Sequence, residues 1–249
     1  VWDGVMATAG ATGNTTATVT SSVNAFLTIA LKPPATGTGV PAYKLAGTAV
    51  SGTGAVSPAW PTHAIDDIAL LFVESTGGEA VTLSDAQGFS AVLNSPQATG
   101  TGTAGTQLSV FWARATSTTM AAPTVADPGN HVYARIITYE GVTTSGDPWD
   151  VTGGGVKTPA STSVTVTGVT TTVANTLIVQ AVSYDIDNQT ADTFSNQTNA
   201  TLSCVSMNER SDAGTASGNS GGFAVWDDAK PTAGATGNTT ATVVSSVNA

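Results

Sequence analysis

Apolar and polar residues alternate along much of this chain with the period of a strand, not of a helix. Ser163-Val164-Thr165-Val166-Thr167 puts every second side chain on one face, as a half-buried strand requires. Leu177-Ile178-Val179-Gln180-Ala181-Val182 is almost continuously apolar and reads as a central core strand. The same reasoning predicts strands near 16–22, 25–31, 67–74, 88–93, 106–115, 132–140, 162–168, 175–184, 201–207, 221–226 and 240–246. Gly, Thr and Pro gather at 35–41, 99–106, 152–155 and 212–222, which are predicted loops. No segment carries a helical stripe of four turns. The pattern predicts an all-β chain, an antiparallel β-sandwich of jelly-roll type.

A repeat changes this picture. Residues 1–25 read VWDGVMATAGATGNTTATVTSSVNA, and residues 225–249 read VWDDAKPTAGATGNTTATVVSSVNA. Twenty of the 25 positions match, at an offset of 224 residues (225 against 1). Solenoid repeats run to about 50 residues, so each period here is expected to be a whole domain. The first copy leads into Phe26-Leu27-Thr28-Ile29-Ala30-Leu31, an apolar strand followed by Lys32-Pro33-Pro34. The expected organisation is residues 1–34 as the C-terminal strands of a preceding repeat, 35–42 as linker, and 43–249 as one sandwich repeat that lacks its closing strand. A sandwich short of one strand exposes an apolar slot and unpaired backbone groups. Residues 26–31 are therefore the candidate assembly strand, closing either their own chain or a neighbour's, so that a terminal strand is shared or exchanged between successive modules.

Further landmarks run in order through the chain. They are Ala64-Ile65-Asp66-Asp67-Ile68-Ala69-Leu70-Leu71, Leu108-Ser109-Val110-Phe111-Trp112-Ala113-Arg114-Ala115, Ile137-Thr138-Tyr139-Glu140-Gly141-Val142, Asp147-Pro148-Trp149-Asp150 and Met207-Asn208-Glu209-Arg210-Ser211-Asp212. With Ala235 to Thr242 as a penultimate strand and Phe26 to Pro33 as a closing one, the series resembles a tandem-repeat β-sandwich module of bacterial cell-surface, extracellular-fibre and phage tail-associated proteins. Asp66-Asp67 stands where that family usually has Gly-Asp. The resemblance implies a sandwich used in large extracellular assemblies, and it implies no defined active site.

Composition narrows the functions open to such a module. Charged residues are only 10% of the chain, and the net charge is −10, with seven Lys and Arg in all. Nucleic-acid binding needs clustered cations, and none are present. Anionic membrane surfaces are disfavoured for the same reason, and no run of 18 apolar residues offers a membrane span. Thr, Ser, Asn and Gly must supply the polar surface, a composition that accords with a secreted or cell-surface protein. Cys204, the one cysteine, excludes an intrachain disulfide and reads as an inert thiol in an alternating run.

Several motifs invite a chemical reading. Gly218-Asn219-Ser220-Gly221-Gly222 resembles the nucleophile loop of trypsin-like proteases, and His63 precedes it. The neighbours of His63 lack that family's setting, and a polar turn explains the loop without chemistry. Gly100-Thr101-Gly102-Thr103-Ala104-Gly105 fits G-x-G-x-x-G, yet a strand rather than a helix follows it. Asp185, Asp187, Asn188 and Asp192 crowd one loop with oxygen ligands of the kind calcium takes, set against the simpler reading of a solvated acidic loop. Trp60 and Trp149, each beside a proline, are the tryptophans expected to be exposed and so the candidates for stacking on a glycan. No cofactor is required and no catalytic constellation is complete. The expected function is a structural repeat of an extracellular filament or giant surface fibre whose partners are copies of itself, head to tail. The alternative is an adhesin or carbohydrate-binding module.

Overall fold

A computed structural model describes residues 22–35, 39–185, 193–202 and 207–243. The first nine strands are β1 (Ser22–Leu31), β2 (Ala42–Ala46), β3 (Val50–Gly52), β4 (Ile68–Gly77), β5 (Leu83–Asp85), β6 (Ser90–Ala91), β7 (Gln97–Thr99), β8 (Gly102–Arg114) and β9 (Thr124–Val125). The remaining ten are β10 (Val132–Glu140), β11 (Trp149–Ser161), β12 (Ser163–Val166), β13 (Thr170–Thr171), β14 (Thr176–Tyr184), β15 (Phe194–Thr198), β16 (Asn208–Thr215), β17 (Gly221–Lys230), β18 (Gly234–Ala235) and β19 (Thr239–Val243). Every pairing is antiparallel, and no helix occurs among the described residues. The chain is an all-β sandwich.

Three layers of strands enclose two apolar cores, and a third core lies on an outer face. A seven-stranded sheet, in the order β2-β10-β4-β8-β6 with β3 and β7 alongside, faces a five-stranded sheet in the order β11-β1-β14-β17-β16. A three-stranded sheet, β12-β19-β15, covers the other face of the five-stranded one. The central core lies between the two large sheets and holds Leu27, Ile29, Leu70, Phe72, Val179 and Phe223. The second core lies beneath the small sheet, around Phe26, Ile178, Val182, Phe194 and Trp226. The third lies on the outer face of the seven-stranded sheet, where Phe89, Trp60 and Val125 cover Ala69, Leu71 and Val73.

This layering explains the two long apolar runs. β4 and β14 are buried at every residue, because each is covered on both faces. β12 keeps its alternation, exposed then buried, because only one of its faces meets a core.

Four stretches depart from the predicted pattern, and in the first, the predicted loop at 99–106, β7 and β8 leave only Gly100 and Thr101 between them. Thr152-Gly153-Gly154-Gly155, expected to form a loop, lie inside β11 and pair with Ile29, Thr28, Leu27 and Phe26. The predicted loop at 212–222 is strand as far as Thr215, with the turn confined to the residues before Gly221. Of the predicted strand at 201–207, Thr201 and Leu202 form a turn, and Cys204 lies outside the described residues, as does most of 16–22.

Candidate assembly site

The predicted assembly strand, Phe26, Leu27, Thr28, Ile29, Ala30 and Leu31, lies within β1, and the chain closes it on both sides. β1 pairs with β14 along one edge, Asn24 opposite Tyr184 through to Leu31 opposite Leu177. Along the other edge it pairs with β11, Ser22 opposite Ser161 through to Leu31 opposite Trp149. Its two faces point into different cores. Ala25, Leu27, Ile29 and Leu31 enter the central core, while Phe26 and Ala30 enter the core beneath the small sheet. Each of these residues is at most 4% exposed, so removing β1 would strip both cores at once. Burial of a side chain such as Leu27 or Ile29 stabilises by about 1.5–3 kcal/mol. β1 thus occupies a slot one strand wide between β11 and β14, with a core above it and a core below.

The two walls of the slot differ in chemistry. On the β14 side a polar chain crosses the sheet under cover. The Trp226 indole N–H donates to Gln180 Oε1 at 2.9 Å, Gln180 Nε2 donates to Thr28 Oγ1 at 3.1 Å, and Thr28 Oγ1 donates to the Thr167 carbonyl at 3.0 Å. Asn24 Nδ2 donates to the Ser183 carbonyl at 3.0 Å and fixes the start of the strand. On the β11 side the wall is shaped by missing side chains. A Cβ on Gly155 would lie 2.7 Å from the Phe26 ring, and a Cβ on Gly153 would lie 2.7 Å from Val169. Gly154 is equally filled by Gln97, whose amide carbon a Cβ would meet at 2.5 Å. At the far end the Lys32 N–H donates to the Pro148 carbonyl at 2.8 Å, and the Thr143 N–H to the Lys32 carbonyl at 3.0 Å.

The other sequence candidates fall elsewhere. Trp149, expected to be exposed, is 8% exposed and packs edge-on against Trp112 at 5.5 Å between ring centres. As the first residue of β11 it faces the central core, which the adjacent proline did not reveal. Trp60 is half-buried between Phe89 and His63, at 5.4 and 4.8 Å. Asp187, Asn188 and Asp192 lie outside the described residues, and Asp185 follows the end of β14. Among the described residues, no group of three or more His, Cys, Asp or Glu is placed to hold a metal. Among the same residues no helix is long and apolar enough to cross a membrane. Ser220 sits in the β16–β17 turn with its N–H donating to the Ser217 carbonyl, and His63 Nδ1 is bonded to the Pro61 carbonyl.

One buried cluster escaped the sequence pattern. Glu74 on β4 is fully buried, 2.9 Å from His131 Nε2, and accepts a hydrogen bond from Thr106 Oγ1 at 3.0 Å. Burial pushes the Glu74 carboxyl up to about 7, against the opposing pull of His131 and Thr106. Burial alone would lower His131, but the neighbouring carboxylate more than offsets it and the imidazole titrates above its ordinary value. Gly221 makes the room, since a Cβ there would meet Glu74 Oε1 at 2.6 Å. Asn130 Oδ1 accepts from the Asn219 N–H at 2.7 Å, so the cluster ties the β16–β17 turn to the seven-stranded sheet. A Glu at the end of an apolar run was its only trace in the sequence.

Comparison with protein-family models, with curated proteins and with solved structures finds no match.

Proposed function

We propose that this chain is a structural repeat module of an extracellular filament or giant surface fibre, and that successive copies join head to tail by β-strand complementation. The observation that carries this reading is the position of β1. By sequence β1 begins in and continues the first copy of the repeated segment, whose second copy stands 224 residues later. In space it is an inner strand of the five-stranded sheet, buried on both faces. A strand that belongs to one repeat and completes the core of the next supplies both the joint and its stability. The scarcity of charge, 10% of residues, lets neighbouring modules pack without strong repulsion. The resemblance to surface and phage tail-associated modules points the same way.

The second copy supports the same architecture. Trp226 bonds Gln180, and Asp227 holds Arg210 through two 2.8 Å contacts. Trp2 and Asp3 are their counterparts in the first copy, and Gln180 and Arg210 occur once and are taken. In the head-to-tail reading an equivalent Gln and Arg come from another module. The expected result is that the purified full chain forms elongated particles with a regular repeat, seen by negative-stain electron microscopy and by a mass that grows with concentration in light scattering. Compact particles of one-chain mass at every concentration, even after a second FLTIAL strand is appended behind Ala249, would overturn the proposal.

A further inference from the structure

The strand opposite β1 does not end where β1 begins. β11 and β12 are separated by one residue, Thr162, and form a single bent strand that leaves the five-stranded sheet and enters the three-stranded one. Along that strand, Leu31 to Ser22 lie opposite Trp149 to Ser161, and Val243 to Thr239 take over from Thr162 to Val166. The Val243 N–H donates to the Thr162 carbonyl at 2.8 Å, and Ser22 is paired with the next residue, Ser161. β19 and β1 are thus in line, run in the same direction, and meet end to start at the bend. A bend with extra residues on one side is how strands pass between packed sheets.

The repeat shows that the two halves belong together. Thr239 to Val243 are followed by two residues and then by Ser246-Val247-Asn248-Ala249, the same residues that open β1 at Ser22-Val23-Asn24-Ala25. In the first copy Thr15-Thr16-Ala17-Thr18-Val19 stand two residues before Ser22. Three Cα steps reach about 10 Å, enough to cross the bend from Val243 to the position of Ser22. In the structure the β19 half comes from the second copy and the β1 half from the first. The receptor is continuous, and its complement is nicked.

We propose that β11 and β12 form one receptor for a single continuous strand, residues 15–31 of a second copy of this chain, which displaces β19 and β1 together. The proposal rests on the strand-complementation reading and names its occupant and its register. Asn24 takes the Ser183 carbonyl, Phe26 fills the space above Gly155, and Thr28 joins Gln180, as β1 does now. The preceding half adds the pairing that β19 makes with β12. Joining two binding halves in one molecule raises affinity by about 100-fold or more when both sites can be engaged at once.

The test refolds the full chain from guanidinium with a fluorescein-labelled peptide and follows incorporation by anisotropy and size exclusion. A peptide of residues 15–34 is expected to enter at a concentration at least ten-fold lower than a peptide of residues 22–34. The 15–34 peptide carrying Phe26→Asp is expected not to enter. Equal uptake of the two wild-type peptides, uptake of neither, or uptake of the Phe26→Asp peptide overturns the proposal. A chain carrying Ala30→Cys and Val151→Cys, paired across β1 and β11, supplies a second control. Opposed Cα atoms in an antiparallel pair lie about 4.5–5.5 Å apart, within disulfide range. Oxidised, it is expected to exclude the peptide, and reduced, to admit it; uptake by the oxidised chain places binding elsewhere and overturns the proposal. If that variant does not fold, the peptide comparison decides alone. Uptake of the long peptide by a chain that never self-associates sinks the filament reading and leaves the receptor standing. Filaments formed by a chain that admits neither peptide sink the receptor alone.

Discussion

β1 is held between two strands of opposite character. β14 is TLIVQAVSY, buried at every residue, and would be recognised as a core strand in any context. β11 is WDVTGGGVKTPAS, with three consecutive glycines, a proline and an exposed Val156. One wall holds β1 by filling space and the other by leaving it. A wall of side chains tolerates many partners of about the right size, whereas a wall of absent side chains selects for one shape. The comparison locates the stability of the slot on β14 and its selectivity on β11.

The largest expected effect tests the β11 half of that contrast. Gly155→Val puts a branched side chain where the Phe26 ring already lies 2.7 Å from a Cβ position. Overpacking of this kind costs about 3 kcal/mol, read as a lowered midpoint in urea. If the fit between Gly155 and Phe26 is the cause, Phe26→Ala in the same chain should remove most of the added cost. The double variant is then expected to be no less stable than Phe26→Ala alone, a coupling that a double-mutant cycle measures directly. Additive costs would mean that β11 does not read the shape of Phe26.

A smaller effect is expected on the β14 side. Gln180→Ala cuts the chain from Trp226 to Thr28 in its middle and leaves the indole N–H buried without its acceptor. The cost is about 2 kcal/mol, from the desolvation of groups that lose their partners. Gln180→Glu keeps an acceptor for Trp226 but loses the donor to Thr28, and buries a charge besides, so it should be no better than alanine. A β14 wall that acted through apolar packing alone would show almost no loss with Gln180→Leu, and that outcome would erase the polar half of the contrast.

The same contrast explains what the sequence made legible. β4, β10 and β14 declared themselves because strands covered on both faces are apolar whatever lies against them. The repeat was legible because identity needs no structure to be seen. β11 was not, because Gly153, Gly154 and Gly155 answer to Val169, Gln97 and Phe26, and local pattern carries no record of contacts so distant in the chain. Trp149 was misplaced for a related reason: a tryptophan beside a proline has the signature of a loop, and only the register of β11 against Leu31 turns it inward. The Glu74–His131 cluster spans 57 residues, and its pairing depends on β4 lying beside β10.

Buried carboxyls also give the fold a response to pH. Tyr184 ends β14, and Asp212 on β16 lies near it with its Oδ2 accepting from the Phe194 N–H at 2.6 Å. Burial pushes the Asp212 carboxyl up to about 7, against the hydrogen bond from Phe194. Its ordinary value is 3.8, so between those two the folded chain keeps a proton that the unfolded chain releases. The contribution to stability is therefore whole below about pH 4 and is lost as pH rises through about 7. Glu74, raised from 4.5 to about 7, acts in the same direction, as do Asp227 and His131, which also titrate above their ordinary values. Raising pH from 5 to 8 is thus expected to lower the melting temperature. Asp212→Asn should flatten that slope and stabilise the chain at pH 8 by about 1 kcal/mol, after allowing for the partial exposure of the carboxyl. Asp150, on the β11 wall, accepts hydrogen bonds from the N–H and hydroxyl of Thr172 near the surface. Asp150→Asn should lower stability by weakening the hydrogen bonds to Thr172, read as a lowered urea midpoint, and a pH slope left unchanged by Asp212→Asn would place the pH response elsewhere in the chain.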